Sequence, residues 1–502
     1  MLRETMTECG RVRGIPAADP RITAYKGIPF AAPPVGELRW RAPRPAQKWE
    51  GVRDCARFAP ISMQETPGED PNAFYSREWH VDPDIPMSED CLYLNVWTPA
   101  KSAEERLPVM VWIFGGGMTC GYPAEMEFDG ERLARRGVVL VSVNYRVNSF
   151  GLLAHPELTA EARSEGAPPA NLALQDQRAA ILWVRRNIHA FGGDPECITV
   201  FGQSAGGRST WAQVASPLNR GLFRRAIAQS GGLTGDFARY PALGEAESRG
   251  EAFLKHLGVS TIAEARALDA REVLDKTLSW DGPRWSPVLD GVFLPEDPCD
   301  AILHGRQNDV ELLCGNTANE GSFPMGDTLE EFLPNARRLW KDDFDRMMAL
   351  AGIRTDEDIQ RYYRSRAFHP FEVGNHFAAR CWERQGRKPA WLYRFDPEMP
   401  GDHAGSFHSS ELWFVFETLA KCWRPFEGKH YDLARQMCNY WTNFARTGDP
   451  NGPDHNGKPM PYWPPCTAEN GESVMLLDDA PHAVCPEADE LFAFELSRQE
   501  RT

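Results

Sequence analysis

Hydrophobic positions fall into short, nearly unbroken runs separated by charged stretches. Pro108–Phe114 (PVMVWIF) and Val138–Val143 (VVLVSV) hold one polar residue between them. Runs this apolar predict strands buried on both faces, as in a parallel sheet covered by helices. Further strands are predicted at the run ending at Gly202, and at Ala226–Gln229, Val310–Cys314 and Ala390–Phe395. Between them the period lengthens. In Asn171–Asn187, Leu174, Ala179, Ile181, Leu182 and Trp183 stand among charges, the pattern of an amphipathic helix. Helices are also predicted from Arg208 to Ser216, within Ala242–Thr277, and from Tyr431 to about Thr447, where Gly448-Asp449-Pro450 ends the last one. Dense mixed charge over Leu329–Arg366 marks solvent-facing helices. Ile22–Asp54 is β-prone but broken by prolines and glycines, which predicts a loop-rich antiparallel edge. Ala56–Pro86 shows no period and is expected to be loop. Strands alternating with helices, with no repeat or linker, predict one α/β unit over residues 1–502, its central sheet mostly parallel.

A chain of 502 residues can bury a large core. A net charge of −16 argues against nucleic-acid and anionic-membrane partners, both of which need a basic face. Met1–Pro16 mixes Arg3, Glu4, Glu8, Arg11 and Arg13 with no apolar core, so no signal peptide is expected, and no apolar run is long enough to span a bilayer. Twelve cysteines are scattered from Cys9 to Cys485 without a C-x-x-C pair, and no N-x-S/T site occurs. Free thiols in a cytoplasmic protein are the expectation, with no disulfide, metal or cofactor.

Against this background, Cys197–Gly207 (CITVFGQSAGG) carries chemistry. A G-x-S-x-G sits between a predicted strand and a predicted helix. In such a sharp turn Gly202 and Gly206 leave room for a strained Ser204, and the N–H of Ala205 opens a helix whose dipole favours an oxyanion. Gly115-Gly116-Gly117 directly follows another strand, where small residues let backbone N–H groups crowd a ligand atom. A serine needs a base to take its proton and an acid to orient that base. Glu320 and His408 follow in that order, each in a loop after a predicted strand. His403 is near enough to His408 to compete as the base, whereas Asp402 is too near in the chain to orient His408 from behind, which leaves the acid role to Glu320. The H-x-x-E spacing of His408 and Glu411 could ligate metal, but a third ligand is missing nearby.

Seven ordered motifs now stand on the page: Gly27–Trp40 (GIPFAAPPVGELRW), Glu89–Pro99 (EDCLYLNVWTP), Phe114–Gly121 (FGGGMTCG), FGGDP before FGQSAGG, Asn319–Phe323 (NEGSF), Gly405–Leu412 (GSFHSSEL) and Thr447–Asn451 (TGDPN). In these the chain resembles the type B carboxylesterases, the group that includes the cholinesterases, from Ile22 to about Pro464. The resemblance implies an α/β-hydrolase fold and cleavage of small-molecule carboxylic esters through an acyl-enzyme, without a cofactor. It further implies Ser204 as nucleophile, His408 as general base and acid, Glu320 as orienting carboxylate, and the N–H groups of Gly116, Gly117 and Ala205 as oxyanion hole. Ser230, in AIAQSGG, looks like the family's serine that steadies the acid. The S-S-E-L context favours His408 over His403.

Several positions depart from the family pattern. Phe114 stands where a His is common, and Gln203 replaces the Glu of cholinesterases. Val81 falls where their choline-stacking Trp would lie, although Trp79 is close. A cation-selective site is therefore not expected, and the likeness is to bacterial-type carboxylesterases. Ser62 replaces the Cys that secreted members pair with the equivalent of Cys91, so the family's first disulfide should be missing. The GGG-type turn implies a roomy site for esters of bulky alcohols, with helices around 329–388 expected to shape the pocket. An amidase or carbamate hydrolase would use the same residues, and a non-catalytic binding member would share the fold. A monomer or small homo-oligomer is expected.

Overall fold

The computed structural model describes residues 1–501 apart from 71, 80, 81, 83, 236, 237, 322 and 323. Val81, and Ser322 and Phe323 of the NEGSF motif, therefore lie outside the described residues.

Fourteen strands are formed among these residues. β1 (Glu4–Thr7), β2 (Gly10–Arg13) and β5 (Val52–Asp54) make a small three-stranded sheet. The others are β3 (Ile15–Pro16), β4 (Thr23–Pro29), β6 (Tyr93–Thr98), β7 (Leu107–Ile113), β8 (Val139–Val143), β9 (Gly193–Gln203), β10 (Arg225–Gln229), β11 (Glu311–Thr317), β12 (Trp391–Phe395), β13 (Val474–Leu477) and β14 (His482–Val484). They form one sheet in the order β14-β13-β12-β11-β10-β9-β7-β8-β6-β4-β3. Pairings from β8 through β7, β9, β10, β11 and β12 to β13 are parallel, and those at both edges are antiparallel. The apolar runs of β7 and β8 thus sit where both faces are covered.

The helix Leu172–Asn187 buries Leu174, Ile181, Trp183 and Val184, and is entered through Asn171 in the left-handed conformation. Aromatic packing fixes the middle of the sheet. Trp112 of β7 is fully buried and meets Phe128, Phe201 and Phe416 at centroid distances of 5.0, 4.8 and 5.0 Å. Burying one such side chain contributes roughly 3 kcal/mol.

Three regions differ from the sequence reading. Within Ala56–Pro86, expected to be loop, Phe74–Trp79 is helical; six residues are too few to show a period, and tertiary contacts hold this turn. The chain ends, left without elements, form β1, β2, β13, β14 and the helix Glu490–Gln499. The helices Leu329–Trp340, Phe344–Ala351 and Asp356–Tyr363 enclose a small core of their own, in which Phe332, Trp340, Met347, Ile359 and Tyr362 pack with Phe494 of the C-terminal helix. Among the described residues no helix is long and apolar enough to cross a membrane.

Candidate active site

Four strand ends converge at one edge of the sheet. β7 delivers the glycine turn, β9 delivers Ser204, β11 delivers Glu320, and β12 leads to the segment carrying His408. Ser204 has φ 58° and ψ −122°, a conformation that side chains disfavour and that the surroundings must enforce. The enforcement is steric and hydrogen-bonded. The Ser204 N–H donates to the Gln229 carbonyl at 2.9 Å. A Cβ on Gly202 would drive into the backbone of Gly206, and one on Gly206 into the carbonyl oxygen of Ile113. Directly after Ser204 the helix Ala205–Ala215 begins.

His408 Nε2 lies 2.8 Å from Ser204 Oγ, and its Nδ1 is hydrogen-bonded to Glu320 Oε2. The other Glu320 oxygen accepts from Ser230 Oγ at 2.5 Å and from the Thr317 N–H at 2.9 Å. The acid and base segments are laced together: the Asn319 N–H donates to the Ser406 carbonyl at 3.0 Å, and Asn319 Oδ1 accepts the Ser406 N–H at 2.9 Å. The structure thus brings Ser204, His408, Glu320 and Ser230 into one chain of hydrogen bonds. His403 is exposed, and Asp402 is held in ion pairs with Arg424 and Arg77 at 2.8 and 2.9 Å.

Burial alone would keep the His408 imidazole neutral, but the charge and hydrogen bond of Glu320 outweigh it and raise the pKa above the ordinary 6.5. Conversely, burial would raise the Glu320 carboxyl, yet the His408 charge and hydrogen bond, with His369 and Ser230, hold it below the usual range. Beneath them, Glu411 is fully buried and accepts from Gln229 Nε2 at 3.3 Å. Burial first, and then the Glu320 charge, push it up to about 7. Among the described residues no three His, Cys, Asp or Glu side chains are grouped to hold a metal.

The glycine turn packs directly beside the serine. A Cβ on Gly115 would come 3.1 Å from Ser204 Cβ, and Gly116 and Gly117 have φ of 102° and 63°, values that suit glycine. The Gly116 carbonyl is occupied by the N–H groups of Thr119 and Cys120 at 3.0 and 3.1 Å. By contrast, the N–H groups of Gly116, Gly117 and Ala205 donate to no acceptor among the described residues. Phe114 stacks on Tyr145 at 4.2 Å, and the Tyr145 hydroxyl donates to its carbonyl at 2.8 Å; it is a packing residue. Gln203 Oε1 accepts from Ser409 Oγ at 3.0 Å, with its Nε2 3.4 Å from His408 Nε2.

A cavity of about 620 Å³ opens above Ser204. Its lining combines the glycine turn and His408 with residues of the 64–79 segment, including Tyr75 and Trp79, and with Arg284. No described residue of 329–388 lines it, because the helices between 329 and 363 turn their apolar stripes into their own core and Glu372–Arg384 packs into the main one; from that region, Phe371 stacks on His408 at 5.8 Å. The 64–79 segment is tied down at both ends. Gln64 exchanges two hydrogen bonds with the backbone of Gly121, at 2.8 and 3.1 Å. Glu78, fully buried, accepts from Arg424 at 3.0 Å and from the indole N–H groups of Trp413 and Trp423 at 3.3 and 3.0 Å. The Tyr75 hydroxyl donates to the His408 carbonyl at 3.2 Å. None of Gln64, Tyr75, Glu78 and Thr317 is singled out by a sequence motif; their contacts exist only once distant segments meet.

A mostly parallel sheet with a strained serine at a strand-to-helix elbow is the α/β-hydrolase fold. The carboxylesterase family model matches residues 3–490, and the chain belongs to that family. It is 35% identical to the para-nitrobenzyl esterase of Bacillus subtilis, covering 94% of both chains. Identity to the acetylcholinesterase of Bungarus fasciatus is 33%, over 94% of this chain and 82% of the other. The solved structure of a thermophilic pNB esterase superposes with a TM-score of 0.81 at 31% identity, covering 99% of this chain and 100% of that one.

Proposed function

We propose that this carboxylesterase-family enzyme cleaves esters through an acyl-enzyme formed on Ser204. The observation that carries the reading is the continuous relay from Ser204 Oγ through the His408 ring to Glu320. With Nδ1–H donated to Glu320, Nε2 is left as the acceptor for the serine proton. As Oγ attacks the ester carbonyl, His408 takes that proton. The tetrahedral oxyanion is met by the free N–H groups of Gly116, Gly117 and Ala205, and each such donor supplies about 3 kcal/mol of transition-state stabilisation. His408 then protonates the departing alcohol, and water repeats the sequence to release the acid. Ser230 fixes one Glu320 oxygen so that the other stays aligned with the ring. The printed activities of the relatives, para-nitrobenzyl esterase and acetylcholinesterase, support ester substrates. A cytoplasmic setting is supported by twelve cysteines that are all unpaired.

Intact-mass analysis after exposure to a small phosphonate tests the assignment. One adduct, mapping to Ser204 and absent from Ser204→Ala, with parallel loss of p-nitrophenyl butanoate turnover, is expected. Turnover that persists in Ser204→Ala would overturn it.

A further inference from the structure

The cavity holds two carboxyls that this reaction leaves unused, one half-buried and one fully buried. Glu125 and Glu127, either side of Met126, both line it. Glu127 is 1% exposed, and among the described residues neither of its carboxyl oxygens accepts from the N–H or hydroxyl of another residue. Glu125 accepts the Tyr122 N–H at 2.8 Å and lies within hydrogen-bonding reach of Glu127. Buried acceptors without donors are unfavourable. Burial raises both groups, and the neighbouring Glu125 raises Glu127 further, because two carboxylates this close repel and a positive charge between them relieves that repulsion. Lys421, the nearby cation, is engaged elsewhere, donating to Asp129 at 2.7 Å and to the Met126 carbonyl at 3.3 Å. At the cavity rim Glu65, Glu69 and Asp70 add exposed carboxylates, and Arg284 is the one lysine or arginine among the described lining residues.

We propose that Glu125 and Glu127 form a subsite for a protonated primary amine, so that the esters taken by this cavity carry an alkylammonium group. The inference rests on the esterase reading above and names its substrate class. A primary ammonium brings three N–H donors to a carboxyl pair with more acceptor oxygens than donors, whereas a quaternary ammonium brings no donor. When it binds, any proton that the pair holds leaves to bulk water and the ammonium takes its place. The expectation against a cation site concerned aromatic stacking; two adjoining carboxyls are a different means of holding a cation.

The test is inhibition of p-nitrophenyl butanoate hydrolysis at pH 8 by hexylammonium, hexyltrimethylammonium and hexanol. At that pH an alkylamine is charged, since its pKa is about 10. Hexylammonium should inhibit competitively and at least about tenfold more tightly than either comparator, as a charge-assisted contact in a desolvated site requires. Glu127→Gln and Glu125→Gln, neutral and isosteric, should each remove most of that preference; Glu69→Gln, at the exposed rim, should keep it. Thermal melts check that the variants fold. Equal inhibition by hexylammonium and hexanol, or a preference that survives both Glu125→Gln and Glu127→Gln, would overturn the proposal. A preference lost only in Glu69→Gln would transfer it to the rim field and likewise overturn it. Should the protein turn over no ester, the esterase reading fails, and calorimetric titration with hexylammonium still decides the subsite.

Discussion

The floor and the cover of the cavity are built by opposite means. The floor is backbone against backbone: Gly202, Gly206 and Gly115 stand where any Cβ would collide, and Ser204 is held in a disfavoured conformation by that crowding. The cover, residues 64–79, is held by side chains, with Gln64 at one end and Glu78 at the other. Main-chain packing tolerates no compromise, which suits a nucleophile whose placement decides the rate. Side-chain anchoring can be re-cut by single substitutions, which suits a surface that selects substrates.

Substitutions can break this contrast at graded depth. Ser204→Ala removes the attacking atom and should lower kcat/KM for p-nitrophenyl butanoate by at least about 10⁴-fold with the melting temperature unchanged; a loss under a hundredfold would mean that another group attacks. Gly206→Ala tests the floor itself. Its Cβ would meet the carbonyl oxygens of Ile113 and Phe114, and a destabilisation of about 3 kcal/mol is expected in denaturant unfolding. Gly244→Ala, where a Cβ meets nothing, should be neutral or slightly stabilising. If the two alanines behave alike, the steric account of the elbow is wrong.

For the cover, Glu78→Gln leaves Arg424 paired with Asp402 alone and should cost about 2 kcal/mol. It should raise KM more than it lowers kcat, because the helix Phe74–Trp79 lines substrate space and reaches the relay only at the His408 backbone carbonyl, through Tyr75; the reverse split would place Glu78 with the catalytic groups. Ser230→Ala removes one charge-assisted hydrogen bond from Glu320 and should lower kcat/KM about tenfold. An unchanged rate would remove Ser230 from the relay.

The smallest effect is in the pH profile. In the proposed mechanism His408 must be neutral to accept the serine proton, and its folded pKa is raised above 6.5 by the charge and hydrogen bond of Glu320. Activity is therefore full at higher pH and falls as pH drops through a midpoint above 6.5. Glu320→Gln takes away the charge that lifts the ring, so any residual activity should show its midpoint moved down. A wild-type midpoint below 6.5 contradicts the pairing.

The same contrast explains what was legible in the sequence. The floor is spelled in glycines at fixed spacing and in apolar runs long enough to show their period, so Ser204, Gly116, Gly117 and the strands beside them stand out. His408 and Glu320 were legible through chain order and family motifs, and the fold brings His408 to the serine and Glu320 to the far side of the ring. The cover left no trace. Phe74–Trp79 is one and a half turns long, and its anchors, Trp413, Trp423 and Arg424, lie more than three hundred residues away in the chain. Glu125 and Glu127 were equally silent, since two glutamates around a methionine read as surface until the fold buries them.

The serine opposite Cys91 reaches further than a missing bridge. Ser62 Oγ accepts the Val147 N–H at 3.3 Å, and the buried Cys91 thiol is free. A cross-link there would close the loop from 62 to 91 and take about 3–4 kcal/mol of freedom from the unfolded chain. Without it, the whole entropy of ordering that loop must be met in the folded state, through Gln64, Tyr75 and Glu78. A ligand that touches both floor and cover would add its contacts to those of Gln64, Tyr75 and Glu78, and so would raise the stability of the folded chain in proportion to its affinity.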